Sequence, residues 1–359
     1  MTVVGLGMTV VGLGMTAERT EYLATTLPGL EFVAADELRA KVADAAVEAA
    51  PRGKVVFRSA GGVERLLALR TVDNLYLLLG RFSQGPHRVH LADLERAVGR
   101  VDVVGVARAA AVDLGTRPTV FVNASRAGKQ TYSRFEAAEA ALRGLLASNR
   151  DWRAGTADAH ELEFRLDVLD EEAMLALRLT PPSFRYRGEE RTFARAALRP
   201  TVAHALVWLS RPAQEDVFVD PFCGSGTIAA ERMGYPFRRI VAGDVDAEAA
   251  VAARDNVPGQ MVMRWDAREL PLAGHSVNKL VTNLPFGHQI SAGEEIGALY
   301  RAFFVEVARV LAGDGVAVVL TDQDAALQEA IGVAGLVQER VASVSLKGLH
   351  PHVWRARRR

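Results

Sequence analysis

Short apolar runs alternate with helical patterns from residue 200 onward, and this alternation restricts the fold more than any other feature of the chain. A strand reaches a parallel neighbour only through a crossover of about a dozen residues or more, which is usually a helix. The pattern therefore predicts an α/β domain with a doubly wound, parallel sheet. The predicted strands are 217–219, 239–242, 261–264, 279–282 and 315–320.

Composition narrows the class of protein. The chain has 359 residues with 43 basic and 43 acidic side chains, and this length predicts two or three domains of about 100–200 residues each. The single cysteine, Cys223, excludes a disulfide scaffold and a cage of thiolate ligands for zinc. No apolar stretch approaches the roughly 20 residues that span a bilayer. We expect a cytoplasmic protein with no membrane partner and, because the histidines lack ligand spacing, no metal.

The first half mixes helical and strand patterns, which predicts an α+β region. Residues 1–7 and 8–14 repeat the same seven letters, and we expect 1–15 to be a disordered tail or a translation-start artefact. The break at Pro181 and Pro182 predicts a domain boundary. The predicted helices are 31–50, 63–69, 91–110 and 135–147, and the predicted strands are 22–26, 54–58, 75–79, 119–124, 161–169 and 173–179.

A glycine-containing turn, residues 220–227 with the sequence DPFCGSGT, follows the first strand of the second half. Gly224 and Gly226 allow the backbone to come close to a ligand where the strand passes into a helix. No lysine follows Gly226, which argues against a phosphate-binding P-loop. A third glycine is also missing, which leaves a dinucleotide-binding fingerprint incomplete.

Polar side chains end the neighbouring strands as well. Asp244, Asp266 and Asn283 follow the second, third and fourth of these strands. Because ligands of open α/β sheets bind outside the carboxyl ends of the strands, these side chains and Asp220 are predicted to meet at one edge. The Asp244 carboxylate suits a ribose diol, and the Asp266 carboxylate suits an adenine amine. Each acid taken alone has a simpler interpretation as a helix N-cap.

The sequence TNLPFG, residues 282–287, suits the methylation of an amine on a nucleobase. Such an amine is a poor nucleophile because its lone pair is delocalised into the ring. The side-chain carbonyl of Asn283 and the main-chain carbonyl of Leu284 can accept its two hydrogens and so orient the lone pair. Pro285 would stiffen the turn, and Phe286 would stack on the base. The alternative is a loop with an ordinary turn proline.

Two basic segments indicate RNA rather than protein as the partner. The loop 125–134 carries Arg126, Lys129 and Arg134 around Tyr132, between a predicted strand and a predicted helix. The segment 183–199 carries a second set of arginines, which includes Arg185, Arg187 and Arg191. Phosphate contacts are a predicted role for both segments. An ordinary solvated loop remains the alternative for the first.

Together, DPFCGSGT, GDVD, WDA and NLPFG resemble the motifs of class I S-adenosylmethionine-dependent methyltransferases that act on amino groups. With residues 197–206, ALRPTVAHAL, and residues 22–38, YLATTLPGLEFVAADEL, the chain is similar to the THUMP-containing RNA guanine-N2 methyltransferases. The resemblance implies four parts after the tail. They are a ferredoxin-like region at 16–80, a THUMP-like RNA-binding region at 81–182, a basic linker at 183–199 and a Rossmann-like methyltransferase domain at 200–359.

The resemblance also implies roles for residues and an activity. It assigns S-adenosylmethionine to Asp220, Cys223, Gly224, Gly226, Thr227, Asp244 and Asp266, and the target base to Asn283, Leu284, Pro285 and Phe286. The implied reaction places a methyl group on the exocyclic N2 amine of a guanosine in the acceptor stem of tRNA, by a protein that we expect to be a monomer. A guanine of ribosomal RNA or another structured RNA, an adenine N6 amine and a protein glutamine are the alternative acceptors.

Overall fold

The computed structural model describes residues 20–187, 197–286, 293–346 and 348–359, with residues 293–295 as backbone only. The predictions for 1–15 and for Arg191 lie outside this part of the chain. Among the helices that are described, none has both the length and the apolar character needed to cross a bilayer.

One mixed sheet of eight strands forms the first half, in the order β2-β3-β1-β4-β8-β7-β5-β6. The strands are β1 Thr20–Thr25, β2 Ala46–Ala49, β3 Lys54–Ser59, β4 Asn74–Ser83, β5 Thr119–Ala127, β6 Arg153–Ala154, β7 Leu162–Leu169 and β8 Glu172–Arg178, and the helices are α1 Glu31–Lys41, α2 Val63–Leu66, α3 Leu91–Gly99, α4 Val103–Ala109 and α5 Arg134–Ser148. Strand β4 pairs with β8, so the two predicted regions 16–80 and 81–182 share one sheet and one core. The boundary between them remains a prediction.

Three helices of the first half are shorter than predicted, and the one predicted at 63–69 ends at Leu66. The helix predicted at 31–50 ends at Lys41, and residues Ala46–Ala49 form β2 instead. Pairing of β2 with β3 decides this segment, since tertiary contacts override a weak helical preference. The helix predicted at 91–110 is two helices. Asp102 separates them, because its side chain accepts a hydrogen bond from the Gly105 N–H at 2.8 Å and begins α4.

A sheet of seven strands forms the second half, in the order β11-β10-β9-β12-β13-β15-β14. The elements are α6 Pro200–Leu209, β9 Val217–Asp220, α7 Thr227–Arg232, β10 Arg239–Asp244, α8 Ala247–Asn256, β11 Met261–Arg264, β12 Val277–Asn283, α9 Gly293–Val310, β13 Leu311–Thr321, α10 Asp324–Val333, β14 Val337–Ser343 and β15 His352–Arg357. All five predicted strands are present, and they run parallel. The chain order reverses between β9 and β12, which places a ligand crevice at the carboxyl ends of these two strands.

Helices cover both faces of this second sheet. One core joins α6, α7 and α8 to the sheet and includes Leu30 and Val33 of the first half. The other core lies beneath α9 and α10. Helix α6 is buried along nearly its whole length, and through this core it joins the amino-terminal half to the carboxy-terminal half.

Candidate active site at the carboxyl edge of the second sheet

The structure brings the four predicted polar residues to one edge of the second sheet. Asp220, Asp244 and Asn283 are the last residues of β9, β10 and β12, and Asp266 follows the end of β11. The strands are neighbours and parallel, so their carboxyl ends lie side by side. The edge therefore combines three carboxylates and one amide around a shared crevice.

The glycine turn leaves room for a ligand at this edge. Gly224 has a φ of +50°, and a Cβ added to it would meet no atom within 4 Å. Gly226 has a φ of +81°, and a Cβ there would lie 2.9 Å from the Val257 side chain. Gly224 therefore offers open space next to its backbone, whereas Gly226 allows helix α8 to pack closely against the turn.

Asp244 supports the turn from the neighbouring strand. Its Oδ2 accepts a hydrogen bond from the Gly224 N–H at 2.8 Å, and its Oδ1 accepts one from the Asp246 N–H at 3.0 Å. Each carboxylate oxygen can accept a second hydrogen bond, so the carboxylate retains capacity for a ligand. The Asp266 carboxylate pairs with the Arg268 guanidinium at the surface, and hydrogen bonding from that guanidinium lowers the pKa of Asp266.

Asp220 is the most deeply buried acid of the site. Its Oδ1 accepts a hydrogen bond from the Thr282 hydroxyl at 2.8 Å, while its Oδ2 is buried without a partner in the described structure. Burial disfavours the charged form and, with the nearby Asp244 carboxylate, raises the pKa of Asp220 to about 7. Burial also raises the pKa of the Cys223 thiol, so Cys223 is protonated at neutral pH and lines the turn as a small side chain.

The turn 283–286 continues from the end of β12. The Oδ1 atom of Asn283 is buried and has no hydrogen-bond partner among the residues described. The Leu284 N–H donates to the Leu320 carbonyl at 3.0 Å, and the Leu284 side chain is fully buried beneath α9. Phe286 is only partly buried, against the core that includes α6. An acceptor without a donor inside the protein is suited to bind a donor on a substrate.

Comparison with known families identifies the second half. Residues 187–254 and 235–352 match the family UPF0020, described as an RMKL-like methyltransferase domain. Residues 187–352 are thus similar to RMKL-like methyltransferase domains. The glycine turn, the acidic strand ends and the turn 283–286 all lie inside the RMKL-like methyltransferase domain.

Two relatives of this chain are named as tRNA methyltransferases. The chain is 30% identical over 259 residues to the tRNA (guanine(6)-N(2))-methyltransferase THUMP3 of Mus musculus. The aligned segment covers 66% of this chain and 51% of that protein. It is 29% identical to the tRNA (guanine(6)-N2)-methyltransferase of Thermus thermophilus, over 92% of this chain and 97% of that protein. The chain thus spans about half the length of the mammalian relative.

The solved structure of TrmN from Thermus thermophilus is similar over 95% of this chain and 100% of that chain, with a TM-score of 0.80 and 27% identity. This similarity confirms the predicted α/β fold class, in which a class I S-adenosylmethionine-dependent methyltransferase domain follows an α+β region. The assignment of the first half to ferredoxin-like and THUMP-like regions remains a prediction.

The residues of the RMKL-like methyltransferase domain fit S-adenosylmethionine, the cofactor of this class. The open side of Gly224 leaves space for a ligand, and the buried Asp220 Oδ2 and Ser225 Oγ have no partners within the described residues. Asp244 would hold the ribose and Asp266 the adenine. Cys223, Gly226 and Thr227 complete the predicted cofactor-binding set and lie in the same turn or at the start of α7. Within the described residues, no three or more His, Cys, Asp or Glu side chains are arranged so that they could hold a metal ion.

Trp265 is a residue of this site that the sequence did not predict. Its indole N–H donates to the Pro221 carbonyl at 3.0 Å. A Cβ on Gly243 would lie 2.3 Å from the Trp265 ring, so only glycine at position 243 allows the ring to lie against β10. Trp265 therefore joins the end of β11 to the glycine turn. The available signal was a tryptophan directly before Asp266.

Tyr300 and Thr321 were also missed. The Tyr300 hydroxyl donates to the Pro285 carbonyl at 3.0 Å and contacts the Thr321 hydroxyl at 2.8 Å. Tyr300 lies on α9 and Thr321 ends β13, so the two meet the turn 283–286 only in the folded domain. A lone tyrosine on an apolar helix face was the only signal in the sequence.

The basic residues predicted to contact RNA lie in different environments. Arg126, Lys129 and Arg134 are exposed, the last with its guanidinium 4.7 Å from the Phe135 ring centroid. Tyr132, which lies among them in the sequence, is buried in the core of the first sheet and is not available to RNA. Its hydroxyl donates to the Gly85 carbonyl at 3.3 Å.

Arg185 and Arg187, the two described linker arginines that were predicted to contact RNA, are partly buried. Arg185 lies with its guanidinium 4.8 Å from the Tyr186 ring centroid. Arg187 pairs with the fully buried Glu231 at 3.4 Å, and its guanidinium also donates to the Arg70 carbonyl. Since the Arg187 side chain is only 10% exposed, it serves the interior of the protein, and we leave it out of the proposed RNA surface.

Proposed function

We propose that the protein transfers a methyl group from S-adenosylmethionine to the N2 amine of a guanosine in tRNA. The unpartnered Asn283 Oδ1 at the crevice is the observation that carries this proposal. The relatives named as tRNA guanine(6)-N2 methyltransferases support guanosine 6, in the acceptor stem, as the target. Cytoplasmic location and action as a monomer are parts of the same proposal.

The geometry supports catalysis by orientation. Asn283 Oδ1 and the Leu284 carbonyl would accept the two amine hydrogens of the guanine, which turns the nitrogen lone pair toward the side of the glycine turn. S-adenosylmethionine supplies an electrophilic methyl group when bound. Holding the amine in a reactive orientation removes much of the entropic barrier, and a strong general base is not required. Phe286, at the rim of the turn, would stack on the base.

Methylation of a pyrimidine carbon is a poor alternative, because that chemistry needs a nucleophilic thiolate. Cys223 is the single cysteine of the chain, and it lies in the glycine turn rather than beside the turn 283–286. Burial raises the pKa of its thiol and keeps it protonated. The chain therefore lacks the nucleophile for such a reaction.

RNA rather than protein is the proposed acceptor. Arg126 lies next to the last residue of β5, Lys129 lies in the loop that follows β5, and Arg134 opens α5. Among the described residues these three cations have no ion-pair partner, so their charge is available to phosphates. We propose this loop, within the THUMP-like region 81–182, as the surface that holds the tRNA, and Arg185 as a contact nearer the active site.

The proposal is tested by methyl transfer from labelled S-adenosylmethionine into tRNA and ribosomal RNA purified from cells that lack this protein. Nucleoside analysis should find N2-methylguanosine in the tRNA fraction. N2-methylguanosine in ribosomal RNA, or N6-methyladenosine in either fraction, would show that the enzyme acts on a different substrate. The assignment of the cofactor site would stand. No label in any RNA would overturn the assignment of an RNA substrate.

A further inference from the structure

The turn 283–286 is held by one hydrogen bond on each side of the Leu284 carbonyl. On one side, the Leu284 N–H donates to the Leu320 carbonyl of β13 at 3.0 Å. On the other side, the Tyr300 hydroxyl donates to the Pro285 carbonyl at 3.0 Å. The proline ring fixes φ of residue 285, so these two bonds restrict most of the remaining freedom around the Leu284–Pro285 peptide. The direction of the Leu284 carbonyl therefore depends on both.

The Tyr300 hydroxyl is itself oriented by a directed series of hydrogen bonds. The Gln323 N–H donates to Thr321 Oγ1 at 3.0 Å, and Thr321 Oγ1 lies 2.8 Å from the Tyr300 hydroxyl. A phenol has one hydrogen, and Tyr300 gives it to Pro285, so Tyr300 accepts the hydrogen of Thr321. Bonds arranged head to tail in this way strengthen each other in a low-dielectric interior.

The Tyr300 and Thr321 hydroxyls are shielded from solvent, and neither loses its proton near neutral pH. Tyr300 and Thr321 are both fully buried. Burial raises the pKa of Tyr300 above its ordinary value, so the hydroxyl keeps its proton and remains a donor. Leu284, Phe303 and Phe304 pack in the same core, which leaves Tyr300 little freedom to move away from Pro285.

We propose that Tyr300 is a positioning residue for methyl transfer, which aims the Leu284 carbonyl at the amine of the target base and is itself oriented by Thr321. This inference rests on the proposed function, since the Leu284 carbonyl matters only if an amine is bound there. A displacement of about 1 Å from a reactive geometry can cost on the order of 100-fold in rate. Tyr300 acts through the turn and does not touch the substrate.

The test is the variant Tyr300→Phe, which removes the hydroxyl and keeps the ring in the core. We expect kcat at saturating RNA and S-adenosylmethionine to fall at least tenfold. The KM for S-adenosylmethionine and the affinity for S-adenosylhomocysteine should stay within twofold of wild type, because the glycine turn is untouched. The matched control is Tyr22→Phe, which removes another buried phenol hydroxyl from the first sheet, where Tyr22 stacks on Phe57.

A second pair of variants separates orientation from packing. Thr321→Val keeps the shape of the side chain but removes the hydroxyl that orients Tyr300, so kcat should fall severalfold. Thr321→Ser restores a hydroxyl with less packing, so its kcat should return to within twofold of wild type even if its melting temperature is lower. If Thr321 contributes only to stability, the kcat values of the two variants should instead change in parallel with their melting temperatures.

Measuring RNA methylation by the wild-type protein first distinguishes a failure of this inference from a failure of the proposed function. If wild type methylates no RNA, the proposed function fails. If wild type is active and Tyr300→Phe has the kcat of Tyr22→Phe, the positioning role is wrong. A loss in Tyr300→Phe that lies entirely in the KM for S-adenosylmethionine would also overturn it. If Tyr300→Phe does not fold, the comparison of Thr321→Val with Thr321→Ser decides. Equal kcat values for these two variants would overturn the proposal. A lower kcat in the valine variant alone would support it.

Discussion

Asn283 provides the side-chain acceptor that the proposed reaction needs. Asn283→Ala should lower kcat about 100- to 1,000-fold, which is the effect of removing one preorganised hydrogen-bonding group from an active site. Binding of S-adenosylhomocysteine should stay within a few-fold, because the predicted cofactor-binding residues lie in the glycine turn and at or just after the ends of β9, β10 and β11. Steady-state methylation of tRNA and calorimetric titration of the cofactor product measure the two effects separately.

Asn278 supplies the control for this variant from the same strand. Its Oδ1 accepts a hydrogen bond from the Val217 N–H at 2.9 Å, at the opposite end of β12 from Asn283. Asn278→Ala should lower the free energy of unfolding and leave kcat nearly unchanged. Normal methylation by Asn283→Ala would remove Asn283 from the amine-orienting role.

Asp220 should make the stability of the protein without cofactor depend on pH. Its pKa is about 7 in the folded protein, raised from an ordinary value of 3.8. Between those two values the folded state holds a proton that the unfolded chain has released, so stability falls as pH rises and the loss is complete above about pH 7. Relative to Asp220→Asn, wild type should lose about 3 kcal/mol between pH 5 and pH 7.5. Urea unfolding at both pH values measures this difference, and parallel profiles would contradict it.

At the scale of elements, the glycine turn makes a specific demand on position 226. Gly226→Ala forces a side chain into left-handed backbone and places Cβ 2.9 Å from Val257 on the segment after α8. Gly335 has a similar φ of +70° but open space around it, so Gly335→Ala measures the backbone cost alone, about 1–2 kcal/mol. Gly226→Ala should cost about 1–3 kcal/mol more and weaken binding of S-adenosylhomocysteine. Thermal unfolding and cofactor titration of both variants test this, and equal effects would show that α8 is not closely packed against the turn.

The parts of the site that could be predicted from the sequence are those that local patterns determine. Apolar runs followed by turn residues mark β9 to β13, and parallel strands necessarily bring Asp220, Asp244 and Asn283 to one edge. Tyr300 and Thr321 lie in separate elements and meet only after α9 packs against β13. No local pattern carries that information.

The same reasoning explains the errors in the first half. The helical pattern at 31–50 was cut short because β2 pairs with β3, a contact between segments that the periodicity of either one does not encode. Arg187 lies in a segment with the composition of a surface linker. Its guanidinium is nevertheless buried, because it pairs with Glu231, a buried acid more than forty residues away. Charge patterns in a sequence thus identify cations without showing which of them remain exposed.

At the scale of the whole molecule, a buried polar junction fixes the two halves relative to each other. Glu231 of α7 pairs with Arg70 of the first half at 2.8 Å. His204 of α6 contacts the Thr71 hydroxyl at 3.0 Å and the Tyr235 hydroxyl at 2.6 Å, and burial lowers the pKa of His204 so that its ring is neutral. Buried polar contacts of this kind require defined geometry. The junction therefore sets where an RNA held by the first half meets the active site in the second.

The proposed RNA surface lies on the first half, and its contribution should be electrostatic. A triple variant that replaces Arg126, Lys129 and Arg134 with alanine removes up to three phosphate contacts. The slope of log affinity against log salt should become shallower by about 2 to 3, since each lost contact contributes about 0.7 to 0.9. The kcat at saturating tRNA should change little, because the turn 283–286 is on the other sheet.

Arg143 is the control for this surface. It lies on α5, the helix that Arg134 begins, but its guanidinium is paired with Glu95 at 2.8 Å and with Glu139 at 3.2 Å, so Arg143→Ala should leave the salt slope unchanged. Filter binding of tRNA across a salt series measures both variants. A triple variant with the wild-type slope would show that the tRNA contacts another face. A lower kcat with an unchanged slope would instead place the loop in the catalytic arrangement, and the division of roles between the two sheets would be wrong.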